Sequence, residues 1–179
     1  PDDPRLGPDE SGKPEAWIIL EAAPGAGLYL GWRQGVDRAA VEACLAAGEA
    51  LAPLLNFVAV QAGDVFEVPA GTPHAIGAGV TLVEPQRVSP GRRALTYRYW
   101  DWNRRYDAAG RPDVRGLPRP LQVAAALEAT DWSAPSGPVA VERCRRQPWS
   151  LAEGPGWRLQ GLLRTPWFGA DRLEADGPA

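Results

Sequence analysis

The segment from Gly63 to His74 most constrains this chain, because it carries the only histidine among the 179 residues. The β-branched and aromatic residues Val65, Phe66 and Val68 lead into a Pro-x-Gly turn at Pro69 and Gly71. Proline fixes one backbone angle of such a turn and glycine frees another, so the pattern predicts that His74 begins a strand. Neutral imidazole is the commonest protein ligand of zinc and related ions, which makes His74 a candidate metal ligand. A histidine satisfied only by hydrogen bonds is the alternative.

The spacing of Gly63, Pro69, Gly71 and His74 resembles the second metal-binding motif of the cupin superfamily, small β-barrels of the jelly-roll kind. The family pattern continues to an asparagine, and that position here is Ala78, so the motif is matched only in part. The resemblance implies a mostly β fold, a cupin jelly-roll barrel with a helical insertion, in which His74 points into a cavity for metal and substrate.

Two further segments narrow the resemblance to the type I mannose-6-phosphate isomerases in their short bacterial form. The Gly-Lys-Pro-Glu run at residues 12–15 precedes an aromatic and branched-aliphatic stretch, and it looks like the zinc-binding segment of that family. Pro1-Asp2-Asp3 looks like the end of the family's Gln-Val-His-Pro-Asp-Asp motif. If so, the histidine that is the first metal ligand of the family falls immediately before Pro1.

A third match lies downstream, in the same order as in the family. Glu84-Pro85-Gln86 is similar to a Glu-Thr-Gln-Gln segment, and the Thr-Tyr-Arg-Tyr-Trp-Asp-Trp run at 96–102 is similar to a Thr-Tyr-Arg-x-Tyr-Asp-Tyr segment. The loop between them, residues 87–94, is longer than in those relatives. The resemblance covers residues 1 to about 132.

The resemblance implies a metal-dependent isomerase that interconverts mannose 6-phosphate and fructose 6-phosphate through an enediol. Glu15 and His74 are then expected to bind zinc, about one ion per complete chain. Arg98 is expected to be the catalytic residue that stabilises the oxyanion, and Lys13 and Glu84 are expected to bind substrate. Glu84 either orients Arg98 or takes part in proton transfer. The complete protein is expected to be a cytoplasmic monomer whose partner is a phosphorylated hexose.

Composition argues against several other classes of protein. The net charge of −3 gives no electrostatic footprint for nucleic acid. No apolar run approaches the ~20 residues that span a bilayer. Cys44 and Cys144 lie far apart in unrelated contexts, which predicts free thiols in a reducing compartment. Lys13 is the only lysine among cations that are otherwise arginines, and its place beside Glu15 favours a role in the site over chance.

Two other functions stay open at this point. One is a cupin module that binds a sugar or sugar phosphate without turning it over. A missing third metal ligand would favour this interpretation. The other is a different metal-cupin enzyme, such as an oxygenase. An oxygenase is expected to carry more histidines, typically in a His-x-His pair, and this chain has one.

The predicted organisation is a catalytic barrel over residues 1–132, incomplete at its start, and the beginning of a second, smaller β-domain over residues 133–179. A hairpin is predicted for strands 17–21 and 26–32 around Ala23-Pro24-Gly25, followed by a helix at 37–47. The other predicted elements are helices at 49–56 and 121–129, a turn-rich linker at 107–119, and strands at 57–60, 64–68, 74–76, 80–84, 95–100, 139–144, 157–163 and 167–173. The chain is expected to be a fragment whose unpaired strand edges promote association or leave it inactive.

Overall fold

The computed structural model describes residues 6–87 and 89–177. Strands predominate among them, which confirms the mostly β prediction. The strands are β1 (Glu10–Ser11), β2 (Glu15–Ala22), β3 (Gly27–Trp32), β4 (Leu55–Ala59), β5 (Val65–Val68), β6 (His74–Ile76), β7 (Val80–Val83), β8 (Arg93–Ala94), β9 (Arg105–Tyr106), β10 (Leu117–Pro118), β11 (Arg145–Arg146), β12 (Trp149–Gly154), β13 (Trp157–Arg164) and β14 (Gly169–Ala175). The helices are α1 (Arg38–Ala46), α2 (Val123–Ala129) and α3 (Pro138–Cys144), with a 3-10 turn at Ala52–Leu54. The predicted match at Pro1-Asp2-Asp3 lies outside the described residues.

The main core lies between two sheets, one with strand order β11-β5-β2-β7 and one with order β4-β3-β6. Trp17, Ile19 and Phe66 from the first sheet pack against Leu28 and Leu30 from the second, and all five side chains are almost completely buried. Burying a large apolar side chain contributes about 1.5–3 kcal/mol, so this layer is the principal source of stability. Within the described residues, the strands form five separate sheets, these two among them, rather than one closed ladder.

The predicted hairpin of residues 17–21 and 26–32 is wrong. Both strands exist, but β2 pairs with β5 and β7, whereas β3 pairs with β4 and β6. The turn at Ala23–Ala26 therefore carries the chain from one sheet to the other. Each strand has a strongly apolar face, and these faces pack across the core instead of lying side by side in one sheet.

The helical insertion between β3 and β4 is confirmed. Asp37 caps helix α1 by accepting a hydrogen bond from the Ala40 amide at 2.8 Å. Val41 packs from α1 into a second core cluster that includes Trp32 and Leu51. The helix predicted at 49–56 is wrong, because only a 3-10 turn forms at Ala52–Leu54 and β4 begins at Leu55. Pro53 lies within that turn, where a longer helix would require an amide donor.

The strand predicted at residues 95–100 is also wrong. Only Arg93 and Ala94 pair, with β1, and the residues that follow have no regular secondary structure. Tyr99 packs on Trp32 at 5.8 Å between ring centroids, and Arg98 is bound to Gln122 by backbone contacts. These contacts are irregular, so the strand predicted from the sequence does not form here.

The chain beyond residue 133 contains a helix where a strand was predicted. Residues 138–144 form α3, which begins with Pro138 directly after Gly137 at φ +68°. Its buried side chains Ala140, Val141 and Cys144 follow helical spacing, and the last two join the main core. Strands β12, β13 and β14 form a separate three-stranded sheet, which confirms strands near 157–163 and 167–173. The domain boundary at 133 stays a prediction.

Helix α2 matches the predicted helix at 121–129, and the turn-rich stretch at 107–119 contains β10, which pairs with β9 just before that stretch. Cys44 and Cys144 are free thiols, as predicted. In the part of the chain that is described, no helix is long and apolar enough to cross a membrane.

Candidate active site

Glu15 and His74 meet between the two main sheets. Glu15 is the first residue of β2, and His74 is the first residue of β6, opposite Leu30 of β3. Because the two sheets pack face to face, these strand starts bring the side chains together. The His74 Nε2 atom lies 2.8 Å from Glu15 Oε1, and the edge of its ring packs against Trp17 at 5.2 Å between centroids.

The Pro-x-Gly turn sets the direction of His74. Gly71 has φ +85°, and a side chain there would come within 3.0 Å of the Ala129 carbonyl oxygen. Only glycine therefore fits both the angle and the space. The imidazole Nδ1 lies 2.7 Å from the Thr72 carbonyl oxygen, to which it donates, so Nε2 is the nitrogen that faces Glu15.

The Glu15 carboxylate is the electrostatic centre of the site, and its side chain is only 4% exposed. Its Oε2 atom accepts a hydrogen bond from Gln86 Nε2 at 2.8 Å and lies 3.4 Å from Lys13 Nζ. Burial raises the pKa of this carboxyl, but the hydrogen bond and charge of His74 and the charge of Lys13 outweigh burial and lower the pKa to about 2. Burial likewise lowers the pKa of His74, and Glu15 more than offsets it, so that pKa is raised.

Gln86 is a site residue for which the sequence predicted no role. It follows β7 and forms an isolated antiparallel bridge with Glu15, so the backbone itself places its amide beside the carboxylate. Its membership of the Glu84-Pro85-Gln86 motif was the available signal.

Glu84 lies on the other side of this centre. Its Oε1 atom accepts a hydrogen bond from Trp17 Nε1 at 2.9 Å. Burial and the neighbouring charge of Glu15 raise the pKa of Glu84, although the hydrogen bond from Trp17 opposes the shift. The structure thus places Glu84 against Trp17 and Glu15. Glu84 is not paired with Arg98 among the described contacts, so the structure gives no support to the prediction that Glu84 orients Arg98.

A cleft of about 1220 Å³ opens beside the pair, and Lys13, Glu15, His74 and Arg98 all line it. The backbone amide and carbonyl of Arg98 are bonded to Gln122 at 3.3 Å and 3.0 Å. Within residues 6–87 and 89–177, the Arg98 guanidinium has no ion pair or hydrogen bond. It is therefore a cation whose donors are available to a ligand in the cleft.

The wall of the cleft beyond Arg98 contains a group that sequence reasoning missed. Asp101 is buried, and it binds Arg104, Tyr106 and Arg119. Asp101 and both arginines line the same cleft.

Glu15 and His74 fit part of a zinc site. Metal-binding histidines usually donate their other ring N–H to a carbonyl or carboxylate, as Nδ1 of His74 does to Thr72. Two ligands of a tetrahedral zinc lie about 3.3 Å apart, so the 2.8 Å contact between His74 and Glu15 would need to open by about half an ångström. Among the described residues, no group of three or more His, Cys, Asp or Glu side chains could hold a metal. This part of the chain therefore offers two ligands of the usual four.

Comparison with known proteins gives consistent results. No protein-family profile matches the chain. The mannose-6-phosphate isomerase of Streptococcus mutans is 32% identical to it over 174 residues, which are 94% of this chain and 46% of that protein. The mannose-6-phosphate isomerase of Bacillus subtilis is 34% identical over 114 residues, which are 64% of this chain and 34% of that protein. The chain thus spans about half, or less, of the length of these curated relatives.

Two solved structures share its fold. The crystal structure of the mannose 6-phosphate isomerase from Bacillus subtilis superposes with a TM-score of 0.69 at 23% identity, over 92% of this chain and 46% of that one. A putative mannosephosphate isomerase from Archaeoglobus fulgidus gives 0.54 at 17% identity, over 86% of this chain and 41% of that one. These likenesses confirm the predicted cupin-type fold.

Proposed function

Because the chain is a homologue of the mannose-6-phosphate isomerases, we propose that the protein to which it belongs interconverts mannose 6-phosphate and fructose 6-phosphate. The observation that carries the proposal is the convergence of the only histidine and the only lysine of the chain on Glu15, at the edge of a cleft. The same cleft contains the guanidinium of Arg98, which has no ion pair with any described residue.

This isomerisation moves the carbonyl group from C1 to C2. The proton on C2 leaves, and an enediolate forms with negative charge on the C1 oxygen. A proton then returns to C1, and the hydroxyl proton of the C2 oxygen passes to the C1 oxygen. A zinc ion held by Glu15, His74 and ligands outside the described residues would polarise the carbonyl and hydroxyl oxygens of the substrate.

The residues of this chain supply positioning and charge. Glu15 is held ionised by His74, Lys13 and Gln86, so it is ready to act as a ligand at neutral pH. Lys13 lies beside Glu15 and can therefore bind a sugar oxygen near the reacting carbons. Arg98 can approach the oxygen on which charge develops, because none of the described residues uses its guanidinium donors. Its fixed backbone reduces the entropy lost when it binds.

A non-catalytic module that binds a sugar phosphate is the second candidate. The observation in its favour is that the described residues provide two metal ligands rather than a complete set. Both candidates use the same cleft, and they differ in whether substrate is converted.

The test is an assay of the complete gene product that couples fructose 6-phosphate formation to a dehydrogenase. We expect turnover of mannose 6-phosphate, and we expect Glu15→Gln to reduce kcat at least a hundredfold. The matched control is Glu21→Gln, an exposed carboxylate on the same strand, which should leave the rate unchanged.

Absence of turnover together with saturable binding of mannose 6-phosphate would replace the isomerase by the binding module. Absence of both would overturn the assignment of the cleft to sugar phosphates.

A further inference from the structure

The short ladder of β9 and β10 places two arginines next to each other. Arg105 pairs with Pro118 and Tyr106 pairs with Leu117. The next positions outward in this register are Arg104 and Arg119, which flank the ladder on its two strands. A stretch whose sequence is typical of a linker therefore brings together two cations that lie 15 positions apart in the chain.

The two guanidinium groups share one carboxylate. Arg104 forms a short ion pair with Asp101 Oδ1, and the Arg119 Nε atom lies 3.7 Å from Asp101 Oδ2. Tyr106 completes the cluster, because its hydroxyl donates to Asp101 at 3.1 Å and the Arg119 guanidinium lies 5.1 Å from the centre of its ring. One negative and two positive charges leave a net charge of +1. Most of the ten guanidinium N–H donors make no hydrogen bond to the described part of the chain and are available to a ligand.

The backbone next to this cluster is held in a costly conformation. Trp102 and Asn103 have φ of 56° and 53°, the left-handed region that non-glycine residues rarely adopt. Asn103 accepts a hydrogen bond from Trp100 Nε1 at 2.7 Å, and Trp102 packs edge-on against Tyr29. Such strained pairs persist only when surrounding contacts fix them, and they occur preferentially at functional sites. The turn from Asp101 to Arg104 is thus fixed in place rather than a pliable loop.

Several other charged side chains of the cleft have partners among the described residues. Glu15 is paired with His74 and Lys13, Glu128 is paired with Arg38, and Asp131 accepts hydrogen bonds from Ser133. On the wall formed by Arg98, Arg104 and Arg119, three guanidinium groups accompany one carboxylate, that of Asp101, so this part of the described cleft has an excess of positive charge. The bonds of Arg98 to Gln122, three positions after Arg119, join these residues into one wall.

We propose that Arg104 and Arg119, held side by side by Asp101, form the subsite that binds the phosphate group of the substrate. This inference rests on the proposed function, since it assigns the two ends of a sugar phosphate to two parts of one cleft. The reacting carbons lie near Glu15 and His74, and the phosphate lies against the paired arginines. Planar guanidinium groups match the oxygens of a phosphate dianion better than any other cation in proteins.

The first test is a comparison of kinetic constants in the complete gene product. Arg119→Gln should raise KM for mannose 6-phosphate about 10-fold to 100-fold, the usual effect of losing one charge-assisted hydrogen bond. The kcat should change little, because the contact is made equally in the ground and transition states. With unphosphorylated mannose as a slow substrate, kcat/KM should be the same in the variant and the wild type. Arg111→Gln is the matched control, because Arg111 is exposed, pairs with Asp107 within the same turn-rich stretch at 107–119, and does not line the cleft.

The second test measures binding without turnover. Titration calorimetry with inorganic phosphate at fixed ionic strength should give a Kd that rises at least 10-fold in Arg119→Gln and in Arg104→Gln. Arg119→Lys, which keeps the charge, should recover part of the affinity. Circular dichroism identifies a variant that fails to fold, and Arg119→Gln then decides, since its loose contact with Asp101 is the safer one to remove.

These measurements separate the two claims. Loss of phosphate binding in a protein without isomerase activity would leave the subsite standing and remove the proposed function. Unchanged phosphate binding and unchanged KM in the folded variants would overturn the subsite, whatever the activity. An equal loss of kcat/KM for mannose and mannose 6-phosphate would also overturn it, because that result indicates a structural role.

Discussion

Replacing Glu15 by Gln should destabilise the metal-free protein in a strongly pH-dependent way. The Glu15 pKa falls from 4.5 to about 2 on folding. A difference of 2.5 units corresponds to about 3 kcal/mol of free energy of unfolding. The raised pKa of His74 describes the same contact from the other side, so this energy is counted once.

The sign of the effect differs on the two sides of neutral pH. A carboxyl group with a lowered pKa stabilises the fold above its ordinary pKa, and this contribution disappears as pH falls through the lowered value. A histidine with a raised pKa contributes fully below its ordinary pKa, and its contribution is lost as pH rises through the raised value. The stabilisation should therefore be greatest between about pH 5 and 6.5.

The assay is urea unfolding with a chelator present, followed by tryptophan fluorescence at pH 3, 5.5 and 8.5. The free energy of unfolding of the wild type should exceed that of Glu15→Gln by about 3 kcal/mol at pH 5.5. At pH 3 the difference should be roughly half of that or less, and at pH 8.5 it should also be smaller than at pH 5.5. Glu21→Gln should show no difference at any pH. A constant difference between the wild type and Glu15→Gln across the three pH values would refute the reasoning.

Three further variants test individual residues. Arg98→Ala should lower kcat a hundredfold or more and leave the metal content unchanged. Steady-state kinetics measure the first quantity and atomic absorption the second. Loss of metal or of folding in this variant would instead make Arg98 a structural residue. Lys13→Ala should mainly raise KM for mannose 6-phosphate in the same kinetics, because the lost contact weakens ground and transition states alike, and a fall in kcat at unchanged KM would contradict this. Gly71→Ala should lower the free energy of unfolding by at least about 1 kcal/mol and weaken zinc binding, because it strains the turn before His74 and crowds the Ala129 carbonyl. A thermal melt like that of the wild type would count against this account.

The candidate site could be predicted from sequence where it depends on local motifs. Lys13 and Glu15 are neighbours in one motif, and the Pro-x-Gly turn before His74 predicts the start of β6 at the correct residue. The resemblance to a known family then supplied the expectation that Glu15 and His74 meet, and the structure brings them into contact at 2.8 Å. Their role as metal ligands stays a prediction.

Features that depend on how distant strands are arranged could not be predicted in this way. The turn at Ala23-Pro24-Gly25 indicates a chain reversal but not whether the two strands pair or pack across a core. The cluster of Asp101, Arg104 and Arg119 depends on the register of β9 and β10, and a two-residue strand leaves no periodic signal.

Short apolar segments were ambiguous for a related reason. Val139 and Val141 lie on either side of Ala140, and β-branched residues at alternate positions favour a strand. Pro138 after Gly137 is instead typical of a helix start. The helix forms because its spacing places Val141 and Cys144 together in the core.

The central claim is that an isomerase site is built around Glu15 and His74. Metal analysis and the coupled assay, applied to the complete gene product and to His74→Ala, test this claim most directly. The wild type should hold about one zinc per chain and convert mannose 6-phosphate, and the variant should lose both zinc and activity. Stoichiometric zinc and undiminished turnover in His74→Ala would contradict the account.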